Sequence, residues 1–232
     1  MPAKTKVEYA DYQITIYPTC PYMCSYCWIQ IPPYNYRAKK MADPIKKAIQ
    51  LTRSRKPSKV VVSFVNDPYQ PAEEETMLTR TVLSILLASK HQVLILTKNP
   101  KLAYQRDLDV IKRGGYWLGS TITALWPIKH EPKAPSNDER LHWLRKAHEK
   151  GVKTWISMEP IIPNVTFPAD IIKQTSSYVD WYVLGSLNYA RKLGYKEDIQ
   201  FYKKQIPKAI RLLRTLGKPF FIKKELRRKL GG

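Results

Sequence analysis

The chain has 232 residues and carries 40 Lys and Arg against 19 Asp and Glu, a net charge of +21. This is the length of one domain, enough to bury a sizeable core, and it holds no internal repeat or low-complexity segment. No apolar stretch (82–88 is among the longest) approaches a membrane span, and residues 1–6 lack a signal-peptide core, so a soluble, cytosolic protein without membrane attachment is expected.

Short apolar runs alternate with helical ones along the chain. Gln13–Tyr17 reads as a first strand, followed by a cysteine-rich loop. Asp43 and Pro44 supply an N-cap and a first-turn proline for a helix to about Arg53. Lys59–Phe64 is a buried strand, and Glu73, Glu74 and Glu75 open a helix through Leu87, where acidic residues suit the helix dipole. His91–Thr97 gives a third strand, Lys101–Arg113 its helix and Trp117–Thr121 a fourth strand. A proline-rich loop ends at Ser136 with Glu139 three residues on, a capping box for a helix to Lys150. Val152–Ile156 and Trp181–Leu184 read as strands five and six, with a helix at Ala169–Thr175 between them. Ile199–Leu216 is a long helix, Pro219–Ile222 a short strand, and the rest a basic tail.

Such alternation specifies parallel β/α units. Six or seven of them make an α/β fold, an incomplete TIM-type β/α barrel whose functional residues lie on loops after the C-terminal strand ends. A single domain over 1–232 is expected, with its core at about 13–190 and a basic helix and strand over 191–232.

All three cysteines, Cys20, Cys24 and Cys27, fall within eight residues. Their spacing puts three sulfurs on one tight loop, too close for useful disulfides and one short of a four-ligand structural zinc site. Three thiolates can hold three irons of a [4Fe–4S] cubane and leave the fourth iron to a ligand that is not protein. A zinc site completed by His91, His130, His142 or His148 is the competing reading, although none of them has finger-like spacing to the cysteines.

The pattern C-x-x-x-C-x-x-C, with aromatic Tyr26 before the last cysteine, resembles the signature of the radical SAM superfamily. Further motifs narrow the likeness: Ser63–Pro71 with Glu73, Leu96–Asn99, Arg106–Leu108, Gly119–Thr123, Glu131 and Pro132 with Pro135 and Arg140, and Met158–Asn164. Over about residues 13–165 these look like the branch containing spore photoproduct lyase and the related DNA repair photolyase proteins. Leu184–Asn188 and Pro219–Lys224 look more like phage-type members grouped as Gp37/Gp68.

The resemblance implies a radical SAM enzyme that holds a [4Fe–4S] cluster on Cys20, Cys24 and Cys27 and S-adenosylmethionine (SAM) on the open iron. It implies that Tyr26 contacts the adenine. The usual glycine-rich motif is missing, since the first glycine is Gly114. Asn66 and Asp67 stand where spore photoproduct lyase has Ser-Asp, so both are expected among the cofactor-binding residues, with Asn66 assigned to the methionine end of SAM. Lys98 matches a lysine that would pair with the SAM carboxylate, and Ser120 a contact to ribose or carboxylate. Arg140 and Glu159 are expected at the same mouth with Glu131, with Glu159 binding a ribose hydroxyl or pairing with Arg140. An electron donor such as flavodoxin or ferredoxin is expected for such an enzyme. In spore photoproduct lyase the residue before Ser-Asp is a cysteine that returns hydrogen to the product radical. Val65 stands there in this chain, so dimer repair by a thiyl route is not expected.

Charge gives the substrate clue. Residues 1–60 carry +8, residues 191–232 carry +11, and the stretch between them only +2. Lys39, Lys40, Lys46, Lys47, Arg53, Arg55 and Lys56 are expected to face Lys203, Lys204, Lys208, Arg211, Arg214, Lys223, Lys224, Arg227, Arg228 and Lys229 across the barrel's lateral gap, two basic lips that would steer a polyanion. Trp28, Tyr34 and Tyr36 with Arg37 would stack unpaired bases. The expected substrate is thus a nucleic acid, DNA or RNA. The alternatives are an activase or modifier of a partner protein, and a non-catalytic Fe–S nucleic-acid-binding module.

Overall fold

Seven parallel strands form one sheet in chain order: β1 (Tyr12–Ile14), β2 (Lys59–Val62), β3 (Gln92–Thr97), β4 (Trp117–Thr121), β5 (Thr154–Ile161), β6 (Trp181–Ser186) and β7 (Phe220–Ile222). The computed structural model describes residues 4–31, 43–63 and 65–231. Every crossover adds a strand to the same edge, so the sheet curls into an incomplete barrel with β1 and β7 as its edges. Helices α1 (Pro44–Thr52), α2 (Glu73–Thr76), α3 (Leu78–Leu86), α4 (Pro100–Gly114), α5 (Asn137–Glu149), α6 (Pro168–Thr175) and α7 (Ile199–Thr215) connect the strands, and α8 (Lys224–Leu230) ends the chain. The helix starts are those the caps specify: Asp43 accepts from Ile45 N, Asn99 from Leu102 N and Ser136 from Glu139 N.

The pleat sorts side chains onto two faces. Val60, Val62, Val93, Ile95, Leu118, Ile156, Met158, Tyr182 and Leu184 enter the main core with the helices. Val61, Leu94, Trp155 and Val183 form a second core inside the barrel. Trp155 fits because Gly119 lies beside it on β4, where a Cβ would stand 2.2 Å from the indole. The segment before β1 completes this inner core. Tyr9 sits edge-on to Trp155, Trp181 and Phe221 at centroid distances of 5.8, 5.4 and 5.9 Å. Glu8 accepts from Lys224 N at 2.8 Å, at the start of α8. The N-terminal segment thus straps β7 and α8, on the far edge of the sheet, to the β1 side.

Three expectations are corrected. The single helix over 73–87 is two, broken at Met77 in the left-handed region (φ 49°). Glu73 imposes the break, because its carboxylate turns back to accept from Thr79 N at 2.9 Å and Arg80 N at 3.2 Å, capping α3. The fifth strand extends to Ile161, which puts Glu159 on the strand and not after it. The basic tail is helical: Leu226 is fully buried, contributing about 2 kcal/mol, and Gly231 closes the helix with φ 95°. The strand expected at the end of the chain is present as β7, which pairs with β6 and completes the sheet.

Candidate active site

A cavity of about 630 Å³ opens at the C-terminal ends of the strands, a size that suits a small ligand. Cys20, Cys24 and Cys27 all line it, with Tyr26, Val65, Asn66, Asp67, Lys98 and Glu159. The cysteine loop is held by Cys27 N donating to Cys24 O and Ser25 N donating to His130 O, each at 2.9 Å, and turns through left-handed Met23 (φ 52°). Burial pushes the Cys20 thiol up to about 11, with Asp67 adding to it, and burial also raises Cys27.

Three cysteines on one wall, with no histidine lining the cavity among the described residues, suit an iron–sulfur cluster rather than zinc. No three His, Cys, Asp or Glu side chains among the described residues converge on a single ion position. A cubane does not require it, since each thiolate binds a different corner. His130 is engaged elsewhere, its Nδ1 2.9 Å from Tyr195 Oη and 3.2 Å from Ser25 Oγ.

On the wall formed by β2–β4, the buried carboxylates are fully paired. Asp67 accepts from Thr97 Oγ1 and Lys98 N, both at 2.6 Å, and from Tyr69 N at 2.9 Å. It ties the loop after β2 to the end of β3. Asn66 accepts from Ser63 Oγ at 3.4 Å beside it. Lys98 Nζ stands 5.5 Å over the Tyr26 ring. Burial disfavours its charge, yet the nearby Cys24 and Glu131 raise its pKa above the usual lysine value. Tyr26 donates to Glu131, and Arg140 donates to Glu131 Oε2 at 2.5 Å, to Thr121 O at 3.0 Å and to Pro135 O at 2.8 Å. Burial opposes the charge of Glu131, but Arg140 and Lys98 outweigh it and hold its carboxyl below the usual range.

Three expected residues, Ser120, Glu131 and Arg140, stand apart from the cavity lining. Ser120 is fully buried and donates to Thr97 O at 2.6 Å; its neighbour Thr121 lines the cavity. Arg140 is fully buried behind Glu131 and acts on the wall through it. The expected Glu159–Arg140 pairing is corrected: Arg140 pairs with Glu131, and Glu159 with Lys223 at 2.9 Å. Lys223 is likewise corrected from surface lip to cavity wall: it directly follows β7, two positions after the inward Phe221, caps the start of α8 and is only 9% exposed.

The β5–β7 wall is a different environment. Gly185 admits Glu159, since a Cβ there would stand 2.9 Å from Glu159 Cγ. Burial raises the Glu159 pKa, offset only in part by Lys223. Ser157 Oγ, Glu159 Oε2 and Ser186 Oγ are buried with no hydrogen-bond partner in the protein. Neither serine was singled out in sequence; inward alternation along β5 from Trp155 was the available signal for Ser157.

The sequence profile of the Radical SAM superfamily matches residues 14–172. The chain belongs to the radical SAM superfamily. It is a radical SAM enzyme, and proteins of this superfamily bind a [4Fe–4S] cluster and SAM. An uncharacterized protein of Methanocaldococcus jannaschii is 29% identical over 204 residues, covering 84% of this chain and 78% of that one. Another from Acidianus two-tailed virus is 26% identical over 231 residues, covering 87% and 75%. Among solved structures, a spore photoproduct lyase variant aligns with a TM-score of 0.73 at 14% identity, covering 96% of this chain and 78% of that one. SuiB of Streptococcus suis bound to S-adenosylmethionine aligns at 0.64 with 15% identity, covering 91% and 50%. These structures share the fold.

Of the expected lips, Lys46, Arg53, Arg55 and Lys56 are exposed on and after α1, and Lys203, Lys204, Lys208, Arg211 and Arg214 on α7. Lys47 is partly buried. Lys224, Arg227 and Arg228 are exposed on α8, where Arg227 lies 3.9 Å from Glu8 and Arg228 3.0 Å from Glu225; Lys229 pairs with Glu197 at 2.8 Å. Tyr34, Tyr36, Arg37, Lys39 and Lys40 lie outside the described residues. No helix among the described residues is long and apolar enough to cross a membrane.

Proposed function

We propose that Cys20, Cys24 and Cys27 hold a [4Fe–4S] cluster, that SAM lies between it and the β2–β4 wall, and that the enzyme modifies a nucleic acid. The observation that carries this reading is the meeting of three cysteines, Tyr26, Asn66 and Lys98 around one cavity at the strand ends. Bound together, the cluster and SAM would supply one-electron radical chemistry capable of abstracting hydrogen from a substrate.

The chain's own residues bind and orient. Lys98, held charged by its neighbours, offers an ammonium to the SAM carboxylate. Tyr26, fixed by its bond to Glu131, presents a ring face to the adenine. Asn66 takes the methionine end, while Asp67 and Arg140 hold the wall in place through bonds to other protein groups. The chain's only thiols are the three cysteines already assigned, so hydrogen return by a further cysteine is not open to it.

A nucleic-acid substrate is supported by the +21 charge and by the exposed cations of α1, α7 and α8. A peptide substrate is the second reading, favoured by the fold shared with SuiB, which has been solved with its precursor peptide. Anaerobic reconstitution tests the first step: about four irons per chain and 5′-deoxyadenosine formed with SAM and dithionite are expected. Stoichiometric zinc without iron uptake overturns it. Stimulation of 5′-deoxyadenosine yield by DNA or RNA supports the substrate class, and stimulation by peptides alone replaces it.

A further inference from the structure

We propose that the β5–β7 wall receives a single unstacked nucleobase, whose hydrogen-bonding edge is read by Ser157, Glu159 and Ser186; this rests on the nucleic-acid reading above. Ser157 and Ser186 are only 1% and 2% exposed, and both line the cavity. Their hydroxyls and Glu159 Oε2 are buried without a partner in the protein. Buried polar groups are almost always paired, so three unpaired ones on one wall of one cavity mark a surface completed by a ligand.

The donor set defines that ligand. Lys223 donates to Glu159 Oε1 at 2.9 Å, which balances the carboxylate charge and leaves Oε2 as an acceptor. Each serine hydroxyl donates or accepts. The wall is therefore neutral as a whole and presents both kinds of partner. It is unsuited to a phosphate, which would meet the unpaired carboxylate oxygen. It matches a flat, neutral edge carrying N–H beside a carbonyl or ring nitrogen, as a base presents. Gly185 leaves the space in which Glu159 lies, fixing that acceptor in position. Trp28 and Tyr189 line the same cavity and provide rings for stacking. A base reaches such a wall only by leaving its stack, while its phosphates stay outside with the exposed cations of α7 and α8.

The test uses the reconstituted holoprotein and short fluorescein-labelled single strands that differ only at a central position: each of the four bases, or an abasic site. Wild type is expected to bind its preferred base about tenfold or more tightly than the abasic strand. Ser157→Ala, Ser186→Ala and Glu159→Gln are each expected to reduce that ratio towards one, with iron content and the salt dependence of strand binding retained. The serine variants guard against misfolding, since they remove hydroxyls with no partner in the protein. If wild type binds no strand, the nucleic-acid reading falls. If it binds all strands alike, or the variants keep the preference, the base seat is overturned while the nucleic-acid reading stands.

Discussion

The two walls of the cavity differ in how completely their polar groups are paired. On the β2–β4 side Asp67 accepts three hydrogen bonds and Glu131 joins Tyr26, Thr123 and Arg140. On the β5–β7 side Ser157, Ser186 and one oxygen of Glu159 have no such bonds. A saturated buried network holds its geometry without any ligand, whereas an unsaturated one gains most when a ligand arrives. On the reading proposed above, the contrast divides the labour of the cavity: one wall would be set in advance for a constant cofactor, and the other would await whatever varies.

The harshest way to break the contrast is to remove Arg140. Arg140→Ala leaves Glu131 charged and buried with its main partner gone, which should destabilise the fold by about 3–5 kcal/mol in urea unfolding. A loss below about 1 kcal/mol would show that the wall is not a tight network. Next comes Lys98→Ala, which should weaken SAM binding about ten- to a hundredfold, on the order of 1.5–3 kcal/mol, with iron content unchanged. Calorimetric titration of the holoprotein checks it, and unchanged affinity would remove Lys98 from the cofactor side.

A matched pair sharpens the comparison further. Thr97→Val deletes a donor to Asp67 and should cost about 1–3 kcal/mol. Ser157→Ala deletes a hydroxyl with no protein partner and should change stability by no more than about 0.5 kcal/mol, or raise it. Equal losses would erase the distinction between the walls.

The smallest effect lies in pH dependence, where the two buried glutamates have opposite signs. The folded pKa of Glu131 is below its ordinary value, so its contribution is present above that value and lost as pH falls through the folded one. That of Glu159 is raised, so its contribution is complete below the ordinary value and lost as pH rises through the folded one. On acidification the stability gap between wild type and Glu131→Gln should narrow. With rising pH, Glu159→Gln should gain on wild type. Parallel unfolding curves at several pH values decide both.

The strands and most helices were legible because short apolar runs and capping residues such as Asp43 and Ser136 are local signals, whereas the cap Asn99 emerged only from the structure. The cysteine loop was legible for the same reason. Pairings between distant strands were not. Glu159 and Lys223 are 64 residues apart and meet only because β5 and β7 flank β6. Ser120 and Thr121 differ by one position, and the pleat alone decides which faces the cavity. The break at Met77 depends on Glu73 folding back onto Thr79 and Arg80, a contact that acidic composition at a helix start does not reveal. Helix α8 has only Leu226 and Leu230 as apolar residues, too few for a period to emerge from its charges.

The strap that joins Glu8 to Lys224 has a consequence for synthesis. Its partners are 216 positions apart. During translation Tyr9 emerges long before Trp155, Trp181 and Phe221, so this aromatic waits for partners about 146 to 212 positions further on. The β/α units can assemble one after another as they leave the ribosome, each on the edge of the last. Docking of the strap is then a late, non-local step that waits for β7 and the start of α8, and closing so long a loop sets it among the slower events of folding.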